Sequence, residues 1–201
     1  MKLKTFSHTY AYPTAQPPEW SAYVERWYQL DAAAYGMTAL YWRNRDQLHA
    51  APRMIFLASP GASNFTDAQF ALSEGLSPAK FVHTLPNVRS AALLQVMNWS
   101  GSVFCLQNDP ATILAGLREA VGIGGEGEDC IWVVAAHVCA NGEFQADLFV
   151  LGSSGPLIIR KSAAKAMEIP VAHDKHWLSW LKRPEQDRSE FVGPGFVVSV
   201  G

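Results

Sequence analysis

The chain has 201 residues, of which 49% are hydrophobic and 17% charged, with a formal net charge of −2. That length suits a single domain spanning 1–201, and so apolar a composition calls for a deep core or a covered interface. The near-neutral charge gives no footprint for nucleic acid or an anionic membrane, no apolar run reaches a membrane span, and three cysteines without close spacing argue against a disulfide scaffold or a zinc site.

The opening residues, MKLKTFSHTYAYP, lack the apolar region of a signal peptide, which leaves the cytoplasm as the expected compartment. Lys2 to Tyr12 reads as a strand with Phe6, His8, Tyr10 and Tyr12 on one face, broken by Pro13, Pro17 and Pro18. Glu19 to Tyr35 carries Trp20, Tyr23, Val24, Trp27 and Leu30 along one side and predicts a helix ended by Gly36. Met37 to His49 predicts a second helix, and Arg53 to Ser59 a buried strand. Thr66 with Gln69 forms a capping box for a short helix ending near Gly75. Ser77-Pro78 starts another helix, which carries Phe81 and His83 and stops at Pro86; Ala91 to Met97 follows as a third.

Ser102 to Gln107 is expected as a short buried strand, and Asn108-Asp109 as a turn. Pro110 is expected to open a helix capped by Asp109, with Ile113, Leu114, Leu117 and Val121 as its buried stripe. Such a strand-to-helix elbow is where several enzyme folds mount a nucleophile. Pro110 can neither attack a carbonyl nor donate a proton, so this elbow is chemically silent. Gly122 to Asp129 is a loop whose glycines follow a helix, the wrong order for a phosphate cradle. Cys130 to Val138 is the most strand-like run, and Asn141-Gly142 signals a hairpin to Phe144–Leu151. Leu157 to Arg160, a short helix around Trp177–Leu181 and a last strand from Gly195 to Val200 complete the chain. The order βα, βα, βα and then a hairpin predicts an α/β layer, a mostly parallel sheet with an antiparallel edge.

Other residues that carry chemistry have plainer roles. Cys105 in an apolar strand is expected as a small hydrophobe, as are Cys130 and Cys139 at the ends of theirs. His137 is expected as a hydrogen-bonded core or edge residue. His173 and His176 have helical spacing but no third ligand in range, so no metal is expected. The seven tryptophans suit core and interface packing better than an acyl tunnel.

The segment LSPAKFVHTLPN (76–87), followed by helix, strand, elbow helix and hairpin, resembles the N-terminal half of a β-ketoacyl synthase of the thiolase-like fold. It is more similar to the small relatives called chain length factors. Ser77, Pro78, Phe81 and Asn87 fall on a Ser-Pro-x-x-Phe-x-x-Ser-x-x-Asn pattern, while His83, Thr84 and Leu85-Pro86 do not match cleanly. The resemblance covers residues 1–160 and leaves 161–201 divergent. It places Pro110 where the catalytic members carry a cysteine, and 201 residues leave no room for the half that brings the catalytic histidines and lysine. It therefore implies a non-catalytic, cofactor-free subunit of fatty acid or polyketide biosynthesis. Its implied partner is a catalytic ketosynthase or a second copy, with an acyl carrier protein as a further one. The implied two-fold interface is Ser102, Val103, Phe104, Cys105, Leu106 and Gln107. The competing expectation is a small enzyme using Cys105 or His137 in an apolar pocket.

Overall fold

A computed structural model describes residues 1–48, 50–60, 64–72, 75, 78–82, 85–107, 110–124, 130–138, 142–162, 173–183 and 189–201. Among these residues eight strands form one sheet: β1 (Lys2–Tyr10), β2 (Met54–Leu57), β3 (Ser102–Cys105), β4 (Ile131–Val138), β5 (Phe144–Gly152), β6 (Leu157–Lys161), β7 (Phe191–Gly193) and β8 (Phe196–Val200). Their order across the sheet is β3-β2-β4-β5-β1-β6-β8-β7. The α/β class holds.

The expected mostly parallel sheet is corrected. Only β3-β2-β4 is parallel, and the remaining neighbours pair antiparallel. The physical reason is connectivity. Parallel neighbours need a crossover helix, and after β4 the chain instead returns by a hairpin to β5. The first strand then lies beside β5 over its whole length, from Lys2↔Gly152 to Tyr10↔Phe144. The expected last strand is the second arm of a β7–β8 hairpin turned at Gly195, whose φ of 85° suits glycine.

Alternation along β2 and β4 sorts their side chains into two cores, because a strand's neighbours point to opposite faces. Ile55, Leu57, Trp132 and Val134 meet Met37 and Leu40 of α1 (Ala32–Asn44) and Leu93 of α4 (Ala91–Met97). Phe56, Ala58, Ile131 and Val133 meet Ile113, Leu114 and Leu117 of α5 (Thr112–Ile123), in a core that also holds Trp177 and Trp180 of α6 (Asp174–Leu181). The result is a sheet between two helical layers. Between β2 and α4 run α2 (Asn64–Ala71) and the single turn α3 (Pro78–Val82), joined by a contact of Phe70 with Phe81.

The expected helix from Glu19 to Tyr35 is also corrected. That stretch holds two 3-10 turns, Glu19–Ala22 and Trp27–Gln29, and α1 begins only at Ala32. The cause is Asp31, whose carboxylate accepts the Ala34 N–H at 2.7 Å and so starts a new helix. Gly36 is no helix stop but lies inside α1. A Cβ there would sit 2.1 Å from the Tyr10 ring, and the Tyr10 hydroxyl donates to the Ala32 carbonyl at 2.7 Å. Glycine here permits close approach of strand and helix.

Candidate functional site

The elbow between β3 and α5 differs from its expected form. Asp109 lies outside the described residues, α5 starts at Thr112, and Ala111 in the cap position provides no side-chain bond. Pro110 is therefore two residues short of the helix it was expected to open. The Ile113 and Leu114 N–H groups of α5 are accepted from elsewhere in the sequence. Asp174, 5% exposed, takes the Ile113 N–H at 2.9 Å on one oxygen and the Leu114 N–H at 3.0 Å on the other. A carboxylate at a helix N-terminus also gains from the dipole. The Asp174 N–H in turn donates to the Pro110 carbonyl at 3.0 Å. Two elements distant in sequence thus clamp each other's ends.

That clamp forms one wall of a cavity of about 670 Å³, lined by Pro60, Pro110, His137, Val138, Leu178 and Lys182 among others. Gln145 also lines it and belongs to a buried polar network. The Ser7 hydroxyl donates to Asp147 at 2.6 Å, and the Gln145 amide donates to both Asp147 oxygens at 2.9 and 3.1 Å. His137 Nδ1 is 3.7 Å from Asp147 Oδ2, beyond hydrogen-bond reach, and has no hydrogen-bond partner among the described residues. The expected hydrogen-bonded His137 is therefore an imidazole beside a carboxylate it does not yet engage, at the edge of a cavity. The sequence expectation missed Asp147, Asp174 and Lys182. The one available signal was the unusual pair of polar residues, Gln145 and Asp147, sharing a strand face with Phe149 and Leu151.

The other expected positions lie apart from this cavity. The strand expected to be buried, β3, is instead at the end of the sheet and, among the described residues, pairs only with β2. Ser102, Phe104, Cys105 and Gln107 are exposed, and Val103 and Leu106 half-buried. Phe104 stacks on Phe56 with ring centroids 5.5 Å apart, yet remains 46% exposed. The correction has a simple cause: an apolar run looks the same whether a neighbouring strand of its own chain covers it or not. Cys105 is no buried hydrophobe, although partial burial still pushes its thiol up, against the smaller pull of Arg89. Pro78 opens α3, Phe81 is exposed beside Phe70, and the Asn87 carbonyl accepts the Ser90 hydroxyl at 2.8 Å. Ser77, His83, Thr84 and Cys139 lie outside the described residues. The rings of His173 and His176 meet edge to face, 5.5 Å apart, and no group of three metal-ligating side chains occurs among the described residues. No helix among those residues is long and apolar enough to cross a membrane.

No family model matches the chain, and no curated protein matches it. Among solved structures it is similar to a ketosynthase (ApeO) in complex with its chain length factor (ApeC) from Xenorhabdus doucetiae. The identity is 14% and the TM-score 0.60, over 99% of this chain and 97% of that chain. The fold is thiolase-like. What the likeness gives is the fold, and it runs nearly from end to end of both chains.

Within this thiolase-like fold, His137 has a defined electrostatic setting. Burial holds its imidazole below its ordinary value, the Lys182 ammonium acts in the same direction, and Asp147 opposes them. The folded chain thus binds this proton less readily than the unfolded chain, whose histidine titrates near 6.5. The resulting stability is complete above that pH and is lost as the pH falls below it. Denaturant midpoints should therefore drop less between neutral and mildly acidic pH for His137→Gln than for the parent. His8, also held low by burial and by Arg43, keeps its own contribution in both. Parallel midpoints for the two proteins on the acid side would remove His137 from this role.

Proposed function

We propose that the chain is a non-catalytic, chain-length-factor-like subunit that pairs through the outer edge of β3 with a ketosynthase or with a second copy of itself. The observation that carries this reading is the end-to-end thiolase-like fold shared with a chain from a ketosynthase–chain length factor complex. Two local features support it. Among the described residues no strand neighbours the outer side of β3, and an edge bearing a half-exposed Phe104 invites strand pairing. At the elbow, Pro110 and Ala111 offer no nucleophile, and the Thr112 hydroxyl is fully buried. The setting of such a subunit is fatty-acid- or polyketide-type biosynthesis, with an acyl carrier protein as a further partner.

A second reading, a small enzyme, draws on a different observation: His137 beside Asp147 at the cavity edge. Cys105 does not line that cavity, so this reading rests on His137 alone.

The test of the first reading is Phe104→Lys. The parent should elute as a dimer by light scattering, alone or when co-expressed with a ketosynthase, and the variant as a monomer. Lysine at this exposed edge keeps its stem on Phe56 and its charge in water, so the fold survives. A parent that stays monomeric in both settings, or a variant of unchanged mass, overturns the proposal.

A further inference from the structure

Among the described residues, five of the large apolar side chains that the chain exposes fall between Leu72 and Phe104. Leu72 is 86% exposed and Phe81 53%, and Val82, Leu85 and Phe104 are exposed as well. The Phe70–Phe81 contact joins α2 to α3, yet Phe70, Leu72, Phe81, Val82 and Leu85 belong to none of the three buried clusters. Helices of eight and five residues are too short to be stable by themselves in water. They need apolar packing, and these side chains offer it to a partner. The pair also leads to the edge of the sheet. The Leu85 N–H donates to the Val82 carbonyl at 3.2 Å, and the Val88 N–H to the Leu85 carbonyl at 3.1 Å. Those bonds tie α3, through Leu85, to the 3-10 turn Pro86–Ser90, which packs against β3. β3 itself has four residues. Strand pairing at so short an edge covers a small part of the roughly 800 Å² per subunit that a stable interface buries.

We infer that α2 and α3 form a docking arm whose apolar side lies on a second copy of this chain, next to two β3 strands joined across a two-fold axis. The inference rests on the subunit reading for the strand edge, and adds to it the arm and the identity of the partner. A two-fold pairing brings the same patch of each copy together. Leu72, Phe81, Val82, Leu85 and Phe104 carry no charge, so a patch built from them finds its complement in its own copy. A charged partner surface would lose its hydration there without compensation.

Light scattering of the full chain alone, over a dilution series, tests it. The parent should be a dimer, and Phe81→Asp/Leu85→Asp should dissociate at a concentration at least about tenfold higher. Both side chains are exposed and outside the buried clusters, so the variant keeps its fold. Leu72→Asp, just past the end of α2, should shift dissociation in the same direction. In hydrogen exchange, the amides of α2 and α3 should exchange more slowly in the parent dimer than in the Phe104→Lys monomer. Unchanged dissociation in both arm variants, or equal exchange of α2 and α3 in dimer and monomer, would overturn the arm. A parent that is monomeric alone and dimeric only with a co-expressed ketosynthase would overturn the second copy and leave the subunit reading standing. If Phe104→Lys dissociates while both arm variants stay dimeric, the strand edge holds and the arm fails. The reverse pattern overturns the strand edge, and with it the place given to the arm.

Discussion

Arg89→Ala will destabilise the protein by about 3–5 kcal/mol, the cost of leaving a buried charge without its partner. Arg89 Nε lies 2.7 Å from Asp31 Oδ2, with side-chain exposures of 4% and 7%. The same carboxylate caps α1 through its other oxygen, so it cannot turn away to water without releasing the Ala34 N–H. Arg89 sits in the 3-10 turn Pro86–Ser90 that leads into α4, and the pair therefore ties that turn to the start of α1. Truncating the arginine strands the carboxylate and loosens both elements. The double variant Asp31→Asn/Arg89→Met should recover much of the loss. The Asn oxygen still accepts the cap, and neither side chain is then charged. Denaturant unfolding measures both. A loss under about 1 kcal/mol for Arg89→Ala, or a double variant worse than the single, would show that the pair is not buried as described.

Asp174→Ala will cost about 2–4 kcal/mol, because it leaves two buried N–H groups at the start of α5 without acceptors. Asp174→Asn should fall between alanine and the parent. One amide oxygen remains to accept, but the other position becomes a donor facing a donor. Asp109→Ala should cost less than Asp174→Ala, since the Ile113 and Leu114 N–H groups keep their acceptor in that variant. The ordering of the three midpoints is the measurement. Asp109→Ala as damaging as Asp174→Ala would return the cap to the residue the local sequence suggests. A second consequence is geometric: without the clamp, α6 loses its polar tie to α5, and the cavity wall that carries Lys175 and Lys182 loosens with it.

The two clamps mark where sequence reasoning stops. The amphipathic stripe of α5, the strand-like run of β4 and its hairpin to β5 are all local patterns, readable within a dozen residues, and the structure follows them. Asp174 lies 61 residues from the N–H group it accepts first, and Arg89 lies 58 from Asp31. Periodicity carries no information over such distances. Asp109 beside Pro110 satisfied every local rule for a helix start and lies outside the described residues, while the Ile113 and Leu114 N–H groups are accepted by a residue that has no local claim. The candidate site was hidden for the same reason. Ser7, His137, Asp147 and Lys182 come from the first strand, both arms of the central hairpin and the end of α6, and only the folded sheet assembles them. The edge position of β3 was ambiguous rather than hidden. VFCL by itself reads as interior in either setting, and only the resemblance, which makes 102–107 an interface strand, implied an edge.

The place of β1 in the sheet bears on how the chain folds as it is made. This strand precedes the other seven in the sequence, yet its two neighbours are β5 and β6. The Ser7–Asp147 bond spans 140 residues. Until synthesis passes β5, the first strand has no partner, and loop closure over that span must be met before any of its ladder forms. The parallel portion, β3-β2-β4, is complete earlier, with an open edge on either side. Growth of the nascent sheet on the β4 side, by β5 and then β1, closes one of those edges. On the β3 side the described residues add no further strand, so that edge of the sheet's hydrogen bonding has no partner among them.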